Sequence, residues 1–134
     1  MRALLDTHTF LWWNLDDPQL SARARAFIAE GKNEIFVSAA SAWEIAIKYS
    51  KGRLVLPEPP ERYMANRMAH FGFLALPIQL GHALRVASLP SIHDDPFDRL
   101  LVAQSQMENL PILTADSEIA GIPWISSGEM LSRV

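Results

Sequence analysis

Cysteine is absent from the 134 residues, so neither a disulfide framework nor a thiolate metal site is available. No apolar run approaches the roughly 18–20 residues that a membrane span requires. The opening Met1-Arg2-Ala3-Leu4-Leu5 is interrupted by Asp6, an apolar stretch too short for a secretory signal. A basic excess is also lacking: 12 Lys and Arg stand against 15 Asp and Glu, for a net charge of −3. Proteins that grip nucleic acid through their own surface usually carry a basic patch, so tight unaided binding is disfavoured. Bound metal ions could supply that charge locally. There is no repeat and no linker; the densest proline stretch, Leu56-Pro57-Glu58-Pro59-Pro60, reads as a turn. With 49% hydrophobic and 20% charged residues, the expectation is a single domain over residues 1–134, located in the cytoplasm.

What is present alternates between short apolar runs and helical patterns. Strands are expected at Ala3–Leu5, Glu34–Val37, Phe73–Leu76 and Pro111–Leu113, with a further candidate at Pro123–Ile125. Helices are expected at Phe10–Asn14, Ser21–Glu30, Ala40–Lys51, Glu61–His70, Leu80–Ser88 and Phe97–Asn109. The Ala40–Lys51 helix is expected to bury Trp43, Ala46 and Ile47. The last helix is expected to bury Phe97, Leu100, Leu101 and Met107. Strands separated throughout by helices indicate βαβ units, hence an α/β fold with a parallel sheet covered on both faces.

Four acids fall at one structural address. Asp6 follows the first strand, Glu44 lies at the start of the helix after the second, and Asp116 follows Ile112-Leu113-Thr114. Asp98 opens the Phe97–Asn109 helix, at the same rim if that helix runs antiparallel to its strands. Ligands of open parallel sheets bind beyond the carboxyl ends of the strands. Four carboxylates in one place cannot all stay ionised without a cation. Oxygen-only ligation suits Mg²⁺ or Mn²⁺, which can activate water against a phosphodiester. Each acid also has a purely structural explanation. Asp6 fits a helix cap, and Ser41-Ala42-Trp43-Glu44 fits a capping box with Glu44 also able to pair Lys48. Asp95-Pro96-Phe97-Asp98 is a complete helix start, and Asp116 sits in a turn composition. Composition and periodicity do not separate the two explanations.

Three further blocks then add weight: Leu4-Leu5-Asp6-Thr7-His8-Thr9-Phe10-Leu11-Trp12, Ser41-Ala42-Trp43-Glu44-Ile45-Ala46-Ile47-Lys48, and Asp95-Pro96-Phe97-Asp98-Arg99-Leu100-Leu101-Val102-Ala103-Gln104. With Leu113-Thr114-Ala115-Asp116, they resemble the PIN-domain family, and within it the VapC-type toxins of bacterial toxin–antitoxin pairs. The resemblance spans nearly the whole chain, in order. It implies a three-layer α/β/α fold around a short-stranded parallel sheet. It also implies Mg²⁺- or Mn²⁺-dependent endoribonuclease activity that leaves 5′-phosphate and 3′-hydroxyl ends. The family's metal-site acids carry over onto Asp6, Glu44, Asp98 and Asp116. A homodimer and a small VapB-like antitoxin partner are implied too. Downstream of Asp116 the chain departs from the longer polar segment common in the family, and Glu118 is the acid available there.

Around these acids, Thr7, Ser41 and Thr114 are candidates for orienting carboxylates, with helix capping as the competing role. Arg99 and Lys48 could contact phosphate or pair with a carboxylate. Trp12, Trp13 and Trp43 could stack on bases, though core or interface packing is the commoner use; His8 and His93 read as structural. Other Mg²⁺-binding α/β folds fit less well. Receiver domains need an acidic pair after the first strand, and aspartyl phosphatases need a second Asp two positions on, where this chain has His8. A family nuclease in RNA processing and a catalytically silent metal-binding module are the remaining alternatives.

Overall fold

The computed structural model describes residues 1–90 and 94–114. Its strands are β1 (Arg2–Leu5), β2 (Glu34–Ser38), β3 (Leu74–Leu76) and β4 (Ile112–Leu113). Its helices are α1 (Thr7–Leu15), α2 (Ala22–Ala29), α3 (Ala39–Ser50), α4 (Pro60–Phe71), α5 (Leu80–Arg85, continued by a 3₁₀ turn at Val86–Ser88) and α6 (Pro96–Glu108). None of them is long and apolar enough to cross a membrane. The expected strand at Pro123–Ile125 lies outside the described residues.

All pairings are parallel, in the order β3-β2-β1-β4. The chain winds outward from β1 through β2 to β3, then returns to place β4 on the other side of β1. The winding therefore reverses between β1 and β4, the position at which open α/β sheets leave a crevice beyond their carboxyl ends.

The strands separate two cores by their period of two. Leu4, paired with Phe36 and Ile112, faces Leu76, Leu89, Leu100, Leu101 and Ala103 under α5 and α6. Leu5, paired with Val37 and Leu113, faces Phe10, Ala24, Ile28, Ile45 and Tyr63 under the remaining helices. The result is the expected three-layer α/β/α arrangement.

Helix α6 fixes the site edge. Asp95 caps it, its Oδ1 accepting from the Phe97 and Asp98 amides at 2.9 and 3.1 Å, with Pro96 in the first turn. Halfway along, the buried Gln104 accepts from the Ser38 hydroxyl at the end of β2 and donates to the Pro77 carbonyl after β3 at 3.2 Å. Because α6 runs back toward β4, the turns that precede Gln104 project beyond the carboxyl edge of the sheet.

Two burial expectations are corrected. On α3 the buried residues are Ala40, Ser41, Glu44 and Ile45, whereas Trp43 is 54% exposed, Ala46 is exposed and Ile47 is half-buried. Hydrophobicity points to the wrong face here, because α3 turns polar groups inward at the strand ends. On α6, Met107 is exposed and Phe97 half-buried, and the buried face includes Gln104 and Ser105.

Candidate active site

Asp6 leaves β1 at the point where the winding reverses. Its amide donates to the Leu113 carbonyl at 3.3 Å, which ties it to β4. Only 3% of the residue is exposed. Its Oδ1 accepts from the Thr9 amide at 2.8 Å, capping α1, and its Oδ2 accepts from the buried Thr114 hydroxyl. The cap role expected of Asp6 is therefore real, but it uses one oxygen only; the other faces β4. Burial raises the Asp6 pKa above its ordinary 3.8, against the opposing pull of the Thr114 and Thr9 bonds and the nearby His8.

Glu44 enters from α3. The capping-box explanation fails, because α3 begins at Ala39 with Ser38 as its cap, the Ser38 hydroxyl accepting from the Ala40 amide at 2.9 Å. Ser41 thus sits within the first turn, and Glu44 follows in the second rather than the first. Glu44 is 3% exposed. Its Oε2 accepts from Lys48 Nζ at 2.7 Å, while its Oε1 is buried with no hydrogen-bond partner among the described residues. One turn earlier, the Ser41 hydroxyl accepts from the Thr7 hydroxyl at 2.9 Å. That buried bond joins the start of α1 to α3 and draws the segments carrying Asp6 and Glu44 to the same edge.

Asp98 occupies the first turn of α6 and is half-buried. The ring of its neighbour Phe97 meets Trp43, the neighbour of Glu44, edge-on at 5.0 Å and 80°. This aromatic contact holds the α6 start against α3. Arg99 donates to the carbonyls of Pro90 (2.8 Å), Val86 (3.0 Å) and Leu89 (3.3 Å), so its guanidinium clamps the segment before α6. Trp12 and Trp13 pack against the second core, and Trp13 meets Phe71 edge-on at 5.3 Å. His8 is exposed beside Trp12. Asp116, Glu118 and His93 lie outside the described residues.

Among the described residues, no group of three or more His, Asp or Glu side chains is spaced to hold a metal ion. The chain's own donors hold the two buried carboxylates, Thr9 and Thr114 on Asp6 and Lys48 on one oxygen of Glu44. The donor set itself suits a hard divalent cation. It is all carboxylate oxygen, and the buried Glu44 Oε1 is an acceptor whose desolvation no hydrogen bond among the described residues offsets. Thr9, not singled out from sequence, contributes the capping amide and is itself fully buried. A threonine among apolar helix residues carries no signal that would have flagged it.

Known proteins align with this arrangement. The PIN domain family model matches residues 3–125. The chain is 41% identical over 80 residues to Ribonuclease VapC16 of Mycobacterium tuberculosis, a match covering 55% of this chain and 57% of that protein. The chain thus spans little more than half of that relative's length. Against Ribonuclease VapC22 of the same organism, identity is 28% over 117 residues, 87% of this chain and 88% of the relative. In three dimensions it superposes on a chain of the structure described as VapBC2 from Rickettsia felis bound to a DNA fragment from their promoter. The TM-score is 0.66 at 14% identity, covering 99% of this chain and 98% of that one. The match from Ala3 onward takes in most of β1, Asp6 just after it, Glu44 on α3, and Asp98 on α6: this chain belongs to the PIN domain family.

Proposed function

We propose that the chain is a Mg²⁺-dependent endoribonuclease, with Mn²⁺ able to substitute, and the toxin member of a VapBC-like type II toxin–antitoxin pair. The observation that carries this reading is the pair of buried carboxylates, Asp6 and Glu44, on segments joined by the Thr7–Ser41 bond, with one Glu44 oxygen left without a hydrogen-bond partner among the described residues. Asp6, Glu44, Asp98 and Asp116 are the residues that would hold the ion. When bound, it supplies an activated water and offsets charge at a phosphodiester.

The chain's own groups do the rest. Thr114 and Thr9 fix both oxygens of Asp6, and Thr7 with Ser41 ties α1 to α3. Lys48 holds Glu44. The exposed rim beside Glu44 is the surface on which RNA would lie. A VapB-like antitoxin as partner, a homodimer and a cytoplasmic setting complete the proposal; VapC-named relatives and a VapBC-named complex with this fold support it.

The test is cleavage of a structured RNA panel in Mg²⁺ or Mn²⁺, with EDTA as control. Asp6→Asn and Glu44→Gln are expected to lower cleavage by at least about a hundredfold, with circular dichroism unchanged. Full activity in Asp6→Asn, or activity undiminished by EDTA, overturns the proposal.

A further inference from the structure

The two oxygens of Glu44 stand in opposite conditions. Oε2 accepts from Lys48 Nζ at 2.7 Å, and Oε1, equally buried, has no hydrogen-bond partner among the described residues. The two side chains differ as sharply in exposure: Glu44 is 4% exposed and Lys48 41%. A buried carboxylate needs a cation beside it, and the ammonium serves that need from the solvent side, one helical turn along α3. An ammonium on a flexible four-carbon stem is a movable point charge rather than a fixed fork. It can leave Glu44 without disturbing the helix that carries both residues.

We propose that Lys48 is an exchangeable counter-ion for Glu44: it neutralises the carboxylate in the metal-free protein, yields it on divalent binding, and then pairs with a phosphate of the RNA. The inference rests on the nuclease reading above. Lys48 is thus a positioning residue for Glu44 in one state and a phosphate contact in the other. This arrangement holds Glu44 in place through one oxygen when no divalent cation is bound. It also makes metal uptake and phosphate binding mutually reinforcing, because the group displaced by the first is the one used by the second. Acidic groups outnumber basic ones in the chain, 15 to 12, so each basic group beside the carboxylates counts for phosphate binding.

The test uses the full chain and two measurements. Mn²⁺ affinity is read by titration calorimetry on wild type, Lys48→Met and Lys48→Gln, each first checked for wild-type circular dichroism. With the competing ammonium gone, both variants are expected to bind Mn²⁺ about fivefold more tightly than wild type. Binding of a single-stranded RNA oligonucleotide in Ca²⁺ is read against salt concentration. Both variants are expected to bind it more weakly, with the slope of log K against log salt reduced by about 0.7, the value of one phosphate contact. Lys48→Arg is expected to retain the wild-type slope. If wild type binds Mn²⁺ but the two neutral variants bind it no more tightly, or if their salt slope is unchanged, the inference fails alone. If wild type takes up no Mn²⁺, the nuclease reading fails and this inference with it.

Discussion

Asp6 caps α1 through one oxygen, accepts the Thr114 hydroxyl on the other, and does both out of contact with water. Those bonds favour its charged form, but burial outweighs them and its pKa lies above 3.8. The folded protein therefore holds the Asp6 proton more tightly than the unfolded chain does. The stability from this group is complete below about 3.8 and is lost as pH rises through the folded value. Above that folded value, the ionised, metal-free side chain is a cost. Asp6→Asn keeps an oxygen for the Thr9 cap and removes the buried charge. In EDTA at pH 7 it is expected to melt on the order of a few degrees above wild type, the gap closing toward pH 4. Added Mn²⁺ should raise the melting temperature of wild type and leave that of the variant unmoved. A variant that melts lower than wild type in EDTA would show that the cap needs the full carboxylate.

At the scale of elements, α6 is positioned by a polar side chain that a hydrophobic reading passes over. Gln104 is fully buried and joins the ends of β2 and β3 through Ser38 and Pro77. Removing it takes away the acceptor of the Ser38 hydroxyl and the donor to the Pro77 carbonyl. Gln104→Ala is expected to destabilise the fold by about 2–4 kcal/mol, read as a lower urea midpoint at an unchanged slope. Asp98, carried on the turns beyond this anchor, should lose its position as well, so cleavage is expected to fall further than the population of folded protein. Helix α3 teaches the same lesson from the other side. Its inward face carries Ser41 and Glu44, while Trp43 is exposed and braced by Phe97.

For the whole molecule, charge is the governing quantity. A net charge of −3 repels a polyanion, and the long-range field offers RNA no attraction. Binding under the proposed function therefore depends on divalent cations at the carboxylate edge. RNA retention in a filter-binding assay is expected to be negligible in EDTA and restored by Ca²⁺, with Asp6→Asn showing no restoration. Equal retention with and without Ca²⁺ would contradict a cation-bridged mode.

Much of this protein was legible before any coordinate. Short apolar runs, helical spacing and helix start and stop residues located every described strand and helix to within a few residues, because local backbone preference and binary patterning are properties of the chain alone. The resemblance across four blocks pointed to the PIN domain family, and the strand-end position of Asp6 followed from pattern. Only the tertiary structure decided which side of each helix faces inward. It revealed that β4 returns beside β1, that one Glu44 oxygen meets Lys48 while the other has no hydrogen-bond partner among the described residues, and that Arg99 clamps a loop. These facts depend on contacts between residues as far apart as Asp6 and Thr114, and no local preference encodes such a contact. A buried polar side chain looks the same in sequence as an exposed one; what separates them is the partner that the fold brings to it.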